Sequence, residues 1–201
     1  MQIITGKYKG RKLVSLDTEK TRPTLARVKE SIFAFVRDEI ENSIVLDLFA
    51  GSGAMGIEAI SEGAKKVYFV DNNKDAKKII SKNLINVKED YEIKIADYLD
   101  ALKEFKNRNL LFDLVFLDPP YKSDYGEKAI SMLKDLKLLK NNAIIVFEQT
   151  TENCLQNPLN GFIIEKSRKY GIVNVSILKN IEDWYGYYSI NWRIRRWVLS
   201  R

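Results

Sequence analysis

Two short segments of the chain concentrate the residues that can do chemistry. The first is Val45-Leu-Asp-Leu-Phe-Ala-Gly-Ser-Gly53, an apolar run that carries Asp47 near its end and then turns through Gly51 and Gly53. Glycines let a backbone approach a ligand closely, and the start of a following helix offers free N–H groups. Gly51, Gly53 and Gly56 also satisfy G-x-G-x-x-G, the spacing of a dinucleotide site. Asp47 argues against that rival. It stands where a pyrophosphate would pass, and a fixed negative charge there repels phosphate but attracts a cation such as the sulfonium and amino group of S-adenosylmethionine. Asp71, 18 residues beyond Gly53, ends the next apolar run, where it can accept hydrogen bonds from ribose hydroxyls whichever cofactor is bound. Asp97 follows a third run, where an adenine amino group would sit; it reads equally well as a helix N-cap.

The second segment is Asp118-Pro-Pro-Tyr121, directly after the apolar run Phe112–Leu117 and holding two of the chain's four prolines. Proline fixes φ and removes a donor, so this loop offers carbonyl oxygens and a carboxylate without competing N–H groups. Such an acceptor-only pocket suits an exocyclic amine, whose lone pair is delocalised into its ring. Accepting both amine protons, on Asp118 and the Pro119 carbonyl, favours the pyramidal geometry that frees the lone pair for attack on a methyl group. Pro120 stiffens the loop, and Tyr121 gives a face on which a flipped base can stack, worth about 1–3 kcal/mol.

A third feature is charge. The chain has a formal net charge of +6, and residues 1–30 hold eight of its lysines and arginines against three acids. Lys7, Lys9, Arg11 and Lys12, with Arg22, Thr24 and Arg27, form a candidate RNA-binding arm. In Arg22-Pro-Thr24 and Arg27-Val-Lys29-Glu30, Arg27 and Lys29 can grip phosphate while Thr24 borders the site. The alternative is a helix capped by Thr24, with Arg27 and Glu30 on a solvated face.

These residues need a scaffold, and the pattern supplies one. From Ser43 onward, β-branched and aromatic runs alternate with helical stretches, the signature of a parallel sheet wound through right-handed crossovers. Strands are predicted at residues 44–49, 66–70, 92–96, 112–117 and 143–148. Helices are predicted at 54–61, 74–86, 98–105 and 127–136, and a terminal hairpin at 162–169 and 172–178. Ahead of them, residues 2–4 and 12–16 flank a Gly6–Gly10 turn, and a helix is predicted at 25–39. The chain therefore divides into a basic arm and helix over 1–40, a catalytic domain over 41–180, and a tail over 181–201. That tail holds all three tryptophans and four arginines but no lysine. It reads as a stacking arm for single-stranded nucleic acid, as a packed extension, or as sequence foreign to the fold.

Composition excludes other chemistries. With no histidine and the single cysteine Cys154, neither a Ser-His-Asp triad nor the common zinc sites have their ligands. Metal-free chemistry in a reducing, cytoplasmic setting is expected. No apolar run approaches a membrane span, no signal-peptide pattern follows Met1, and a monomer without a membrane partner is expected.

Taken together, the residues resemble the bacterial 16S rRNA (guanine-N2)-methyltransferases, over roughly residues 2–179. The resemblance rests on Ile3-Ile-x-Gly6, Lys9-Gly-Arg-Lys-Leu13, Arg22-Pro-Thr24 with Arg27-Val-Lys-Glu30, Leu46-Asp-Leu-Phe-Ala-Gly-Ser-Gly53 and Phe116-Leu-Asp-Pro-Pro-Tyr121. It implies an α/β fold with a doubly wound, mostly parallel seven-stranded sheet, the Rossmann-like class I methyltransferase architecture, plus a small N-terminal hairpin and helix arm. S-adenosylmethionine is the implied donor, and the implied acceptor is one guanine N2 in 16S rRNA, within a small subunit or an assembly intermediate. Asp118, Pro119, Pro120 and Tyr121 correspond to the catalytic loop. Asp47, Phe49, Gly51, Gly53 and Asp71 correspond to cofactor contacts, joined by Ser52, Asn72 and Asp97. Ala26 stands where the family usually has aspartate. Methylation of adenine N6 in RNA or DNA, and a non-catalytic rRNA-binding assembly factor, remain as alternatives; a protein-glutamine methyltransferase and a nicotinamide-dependent oxidoreductase fit the motifs less well.

Overall fold

The computed structural model describes residues 1–15, 23–120, 123–150 and 161–180. Along them run α1 (Pro23–Val36), β1 (Ile44–Leu48), α2 (Ala54–Ser61), β2 (Lys66–Asp71), α3 (Lys74–Asn83), β3 (Asp90–Ile95), α4 (Tyr98–Asn107), β4 (Phe112–Leu117), α5 (Tyr125–Asp135), β5 (Leu139–Thr150), β6 (Phe162–Tyr170) and β7 (Val173–Asn180). A 3-10 turn over Arg37–Glu39 closes α1.

The strands form one sheet in the order β3-β2-β1-β4-β5-β7-β6. The five central and leading strands pair in parallel, and β7 pairs antiparallel with both β5 and β6. This is the expected seven-stranded sheet, with the terminal hairpin turned so that its second strand lies against β5. Strands buried on both faces read as near-continuous apolar runs, and Val45, Leu46, Asp47 and Leu48 of β1 are all buried.

One face is covered by α1, α2 and α3, whose Val28, Ile32, Phe33, Ile57, Ile60 and Ile80 pack on Val45, Phe69, Phe116, Val146, Val175 and Ile177. The other is covered by α4 and α5, whose Leu102, Phe105, Ile130 and Leu133 pack on Leu46, Leu48, Leu117 and Phe147. Because the order reverses between β1 and β4, the crevice beyond their carboxyl ends is where an open α/β sheet binds ligands.

Departures from the predicted elements have local causes. α3 stops at Asn83 because Asn86 adopts a positive φ of 64°, which ends a right-handed helix. β5 begins earlier than its apolar run, at Leu139, since its pairing with β4 resumes past an irregularity that includes Asn142 at φ 63°. The N-terminal hairpin is held across its turn by Ile3 N–H to the Arg11 carbonyl at 2.9 Å, Gly10 N–H to the Ile3 carbonyl at 2.8 Å and Leu13 N–H to the Met1 carbonyl at 2.9 Å, around a Gln2–Lys12 bridge. Its other donors pin it to α2: Ile4 and Thr5 donate to the Glu58 carboxylate at 2.9 and 2.8 Å, and Lys7 N–H to the Ser61 carbonyl at 2.8 Å. α1 starts at Pro23, so Thr24 lies inside the first turn and is not its cap.

Candidate active site

The Val45–Gly53 segment builds the floor of the site. β1 delivers Asp47, which is 4 % exposed and accepts the Gly56 N–H of α2 at 2.9 Å. Phe49 then adopts φ 75°, which turns the chain sharply out of the sheet. Phe49 and Ala50 both donate to the Val70 carbonyl, Gly51 to the Asp71 carboxylate at 2.7 Å, and Gly53 to the Ala50 carbonyl. Every N–H a pyrophosphate would need from Phe49, Ala50, Gly51, Gly53 and Gly56 is therefore committed inside the protein, and a Rossmann-type phosphate grip is not available from them. The third glycine of the G-x-G-x-x-G spacing serves packing: a Cβ on Gly56 would lie 2.3 Å from the Phe69 ring.

Two adjoining spaces meet above this floor. The larger, about 610 Å3, is lined by Phe49, Gly51, Asp71 and Asn72 on one side and by Asp97, Tyr98 and Asp118-Pro-Pro120 on the other. The smaller, about 180 Å3, lies under α1 and is lined by Val28, Lys29 and Ile32, with Asp47, Ser52, Asp118 and Glu148. Phe49, Gly51 and Asp118 border both. Most of the predicted cofactor and catalytic residues are thus brought to one cleft by strands far apart in sequence. Gly53 is the exception, packed behind the loop against Phe69 and Ile80. Tyr121 lies outside the described residues.

Charge in the site is set by burial. Burial pushes the Asp47 carboxyl up from 3.8 to about 8, against the opposing Gly56 N–H and with help from the nearby charges of Asp118 and Asp71. The negative charge expected on Asp47 is therefore conditional, held at neutral pH only when a cation stands beside it. Asp118 opens onto the cleft, yet protein crowds its carboxyl on the remaining sides and raises it from 3.8 to about 6, so it stays ionised at neutral pH. Asp71 splits its oxygens between Gly51 N–H and Asn73 N–H, and Asp97 caps α4 by accepting Leu99 N–H at 2.9 Å. The capping reading of Asp97 is the one observed, and the same residue also lines the cleft.

An acidic, aromatic cleft whose glycine N–H groups are engaged within the protein fits S-adenosylmethionine: its hydroxyls and amines are donors, and its sulfonium and ammonium are cations. Asp71, Asn72 and Asp97 would hold the nucleoside, and Asp47 with the Gly51 loop would face the charged end.

Sequence reasoning missed two groups. Tyr98 and Tyr125 extend an aromatic row from Phe49, with centroids 5.2 and 5.4 Å apart in succession, and both border the cleft. Their signal was position alone, one beside Asp97 and the other just after the Pro-Pro loop. The second group corrects the reading of Lys29 as a phosphate grip. Lys29 is 3 % exposed, pairs with fully buried Glu58 at 2.6 Å and donates to the Gln2 carbonyl at 2.9 Å. Burial lowers its pKa while Glu58 holds the proton on. Of the arm cations, Lys7 is tied to Glu89 and Arg11 to the Ile85 carbonyl, so their charges are engaged within the protein. Lys9, Lys12 and Arg27 are exposed. Arg22 and the Thr24 side chain fall outside the described residues.

The chain was compared with known proteins. A family model described as Conserved hypothetical protein 95 matches residues 1–179. The ribosomal RNA small subunit methyltransferase D of Haemophilus influenzae is 40% identical over 183 residues, covering 90% of this chain and 94% of that protein. Its Escherichia coli counterpart is 32% identical, covering 77% of each. Among solved structures, a Haemophilus influenzae protein assigned as a methylase superposes with a TM-score of 0.76 at 38% identity, over 90% of this chain and 98% of that one. An Escherichia coli protein assigned as a methyltransferase superposes with a TM-score of 0.79 at 26% identity, with the same coverage.

Proposed function

Because the chain belongs to the family described as Conserved hypothetical protein 95 and is a class I S-adenosylmethionine-dependent methyltransferase, we propose that it methylates the exocyclic N2 amine of a guanine in 16S rRNA. The small-subunit rRNA names of its relatives support the substrate class. One observation carries the chemistry: Asp118 borders both the nucleoside-side cleft and the space beneath α1, the junction at which donor and acceptor must meet.

When bound, S-adenosylmethionine supplies an electrophilic methyl group on sulfur. The protein's part is to hold, orient and discharge protons. A flipped base is received by the Asp-Pro-Pro-Tyr loop, where Pro119 and Pro120 offer no N–H to compete with its amine. Asp118, ionised at neutral pH, accepts an amine N–H and draws the lone pair toward the methyl-bearing side. As the nitrogen takes the methyl group, the methyl–sulfur bond would break and leave S-adenosylhomocysteine as the neutral thioether; the nitrogen becomes acidic and its proton passes to Asp118, whose raised pKa of about 6 suits that acceptance and later release to water. Holding amine and methyl in line can supply about 7–11 kcal/mol toward the barrier.

The test is transfer of radiolabelled methyl from S-adenosylmethionine to unmodified 16S rRNA and to 30S particles, followed by nucleoside digestion. N2-methylguanosine is the expected product. N6-methyladenosine would retain the chemistry and replace the acceptor, and binding of both partners without product would make the protein an assembly factor.

A further inference from the structure

The hairpin β6–β7 carries cations that the active site does not use. β6 is the edge of the sheet, and Lys166, Arg168 and Lys169 on it are exposed. The hairpin tip lies at the catalytic end, because Thr150, the last residue of β5, pairs with Val173, the first of β7, while Phe147 pairs with Leu117 just before Asp118.

Alternate residues of a strand share a face, about 6.6–6.8 Å apart. Lys166, Arg168 and Tyr170 pair with Ile177, Val175 and Val173, whose side chains belong to the core under α1, so these three face α1. There Lys166 lies over the Phe35 ring at 4.9 Å, Arg168 over the Tyr170 ring at 5.4 Å, and the Tyr170 hydroxyl donates to Ser31 of α1. Arg27 stands one helical turn before Ser31, extending the row toward the N-terminal end of α1. Among the described residues no carboxylate pairs with Arg27, Lys166 or Arg168, whereas Glu165 is taken by Lys179 at 3.6 Å. The groove between α1 and β6 shares Ile32 with the space that holds Asp47 and Asp118.

We infer that Arg27, Lys166 and Arg168, with Tyr170 between α1 and β6, form an RNA-docking stripe that grips backbone phosphates flanking the target base. The inference rests on the rRNA reading above and names the surface that serves it. Edge-strand cations also guard a sheet against pairing with other chains, but that role needs neither a common face nor a contribution from α1. Arginine and aromatic neighbours spaced along one strand suit a nucleic-acid backbone passing beside the cleft, its base turned in past Ile32.

The test compares Arg27→Gln/Lys166→Gln/Arg168→Gln with a control that removes the same charge elsewhere, Lys77→Gln/Lys103→Gln/Lys106→Gln. Affinity for a 16S rRNA transcript is measured across a salt series, and S-adenosylhomocysteine affinity serves as the measure of fold. The stripe variant is expected to lose about tenfold or more in RNA affinity, and the slope of log affinity against log salt should fall by about 2, from about 0.7 per phosphate contact. S-adenosylhomocysteine affinity should stay at the wild-type value. A stripe variant that matches the control in affinity and slope overturns the stripe while leaving the methyltransferase reading intact. A wild-type protein that neither binds nor methylates the transcript or 30S particles overturns the rRNA reading and the stripe with it.

Discussion

Asp47→Asn is the substitution that most directly exposes the electrostatics of the site. The asparagine keeps a carbonyl oxygen for the Gly56 N–H but cannot ionise. In the wild type, burial raises the carboxyl from 3.8 to about 8, so between those values the folded protein holds a proton that the unfolded chain has given up. The stabilising difference is complete below about 3.8 and is lost as pH rises toward 8, at about 1.4 kcal/mol per pH unit. Across pH 5 to 8 the wild type should therefore lose on the order of 4 kcal/mol relative to Asp47→Asn. Urea unfolding at several pH values measures this, and the carboxyls that do not interact with Asp47 cancel in the difference. Asp118 is coupled by charge to Asp47 and titrates near 6, so the same pair in an Asp118→Asn background isolates the Asp47 contribution. Parallel stability curves for wild type and variant would refute the reasoning. The same raised pKa has a ligand-linked consequence. A cationic ligand that settles beside Asp47 at pH 7 should expel up to one proton, visible as binding heats that vary with the buffer's ionisation enthalpy.

The remaining expectations follow from single contacts. Asp118→Ala should abolish methyl transfer while leaving S-adenosylhomocysteine affinity within a few-fold, and wild-type turnover should fall as pH drops below about 6, where Asp118 becomes protonated; equal loss of both affinity and turnover would count against its role. Lys29→Met removes the cation paired with the fully buried Glu58, which should cost about 3–5 kcal/mol by thermal or urea unfolding; adding Glu58→Gln should recover part of the loss. Gly126→Ala places a Cβ 2.3 Å from the Phe147 ring and 3.2 Å from Pro119. It should cost about 1–3 kcal/mol by the same unfolding assays and lower kcat more than it alters cofactor affinity, since it displaces the Asp-Pro-Pro loop. Ending the chain after Asn180 should leave methyl transfer nearly unchanged, because the family match stops at residue 179.

Much of the fold and cleft was legible because their signals are local. A strand buried on both faces must be apolar along its length, so β1 and β4 announced themselves, and the carboxylates at their ends, Asp47 and Asp118, inherit their position from topology alone. Asp71 and Asp97 were placed by the same logic at the ends of the neighbouring strands. What sequence could not give was the direction of a helix face. In Arg27-Val-Lys-Glu30 the solvated-face reading put Arg27 and Glu30 in solvent, where they are, but nothing in the spacing says that Lys29 turns inward. Glu58 did carry a signal, a carboxylate within the otherwise apolar run Ala54–Ile60, but its partner came from another element and could not be found by spacing.

That buried pair changes what the N-terminal motifs mean. Glu58 accepts N–H groups from Ile4 and Thr5 while pairing with Lys29, and Lys29 reaches on to the Gln2 carbonyl. One carboxylate of α2 therefore fastens both the arm and α1 to the sheet. Val28, Lys29 and Ile32 wall the space beside Asp47 and Asp118, and Met1 closes its edge. The Ile3-Ile-x-Gly6 and Arg27-Val-Lys-Glu30 segments, which look from sequence like a basic arm made to reach RNA, act first as a clamp that fixes α1 over Asp47 and Asp118. On the docking stripe proposed above, RNA contact would fall to the cations the clamp leaves outside, Arg27 among them. A variant that loosens the clamp should consequently alter the active site and the phosphate grip together, whereas neutralising the outer cations should alter the grip alone.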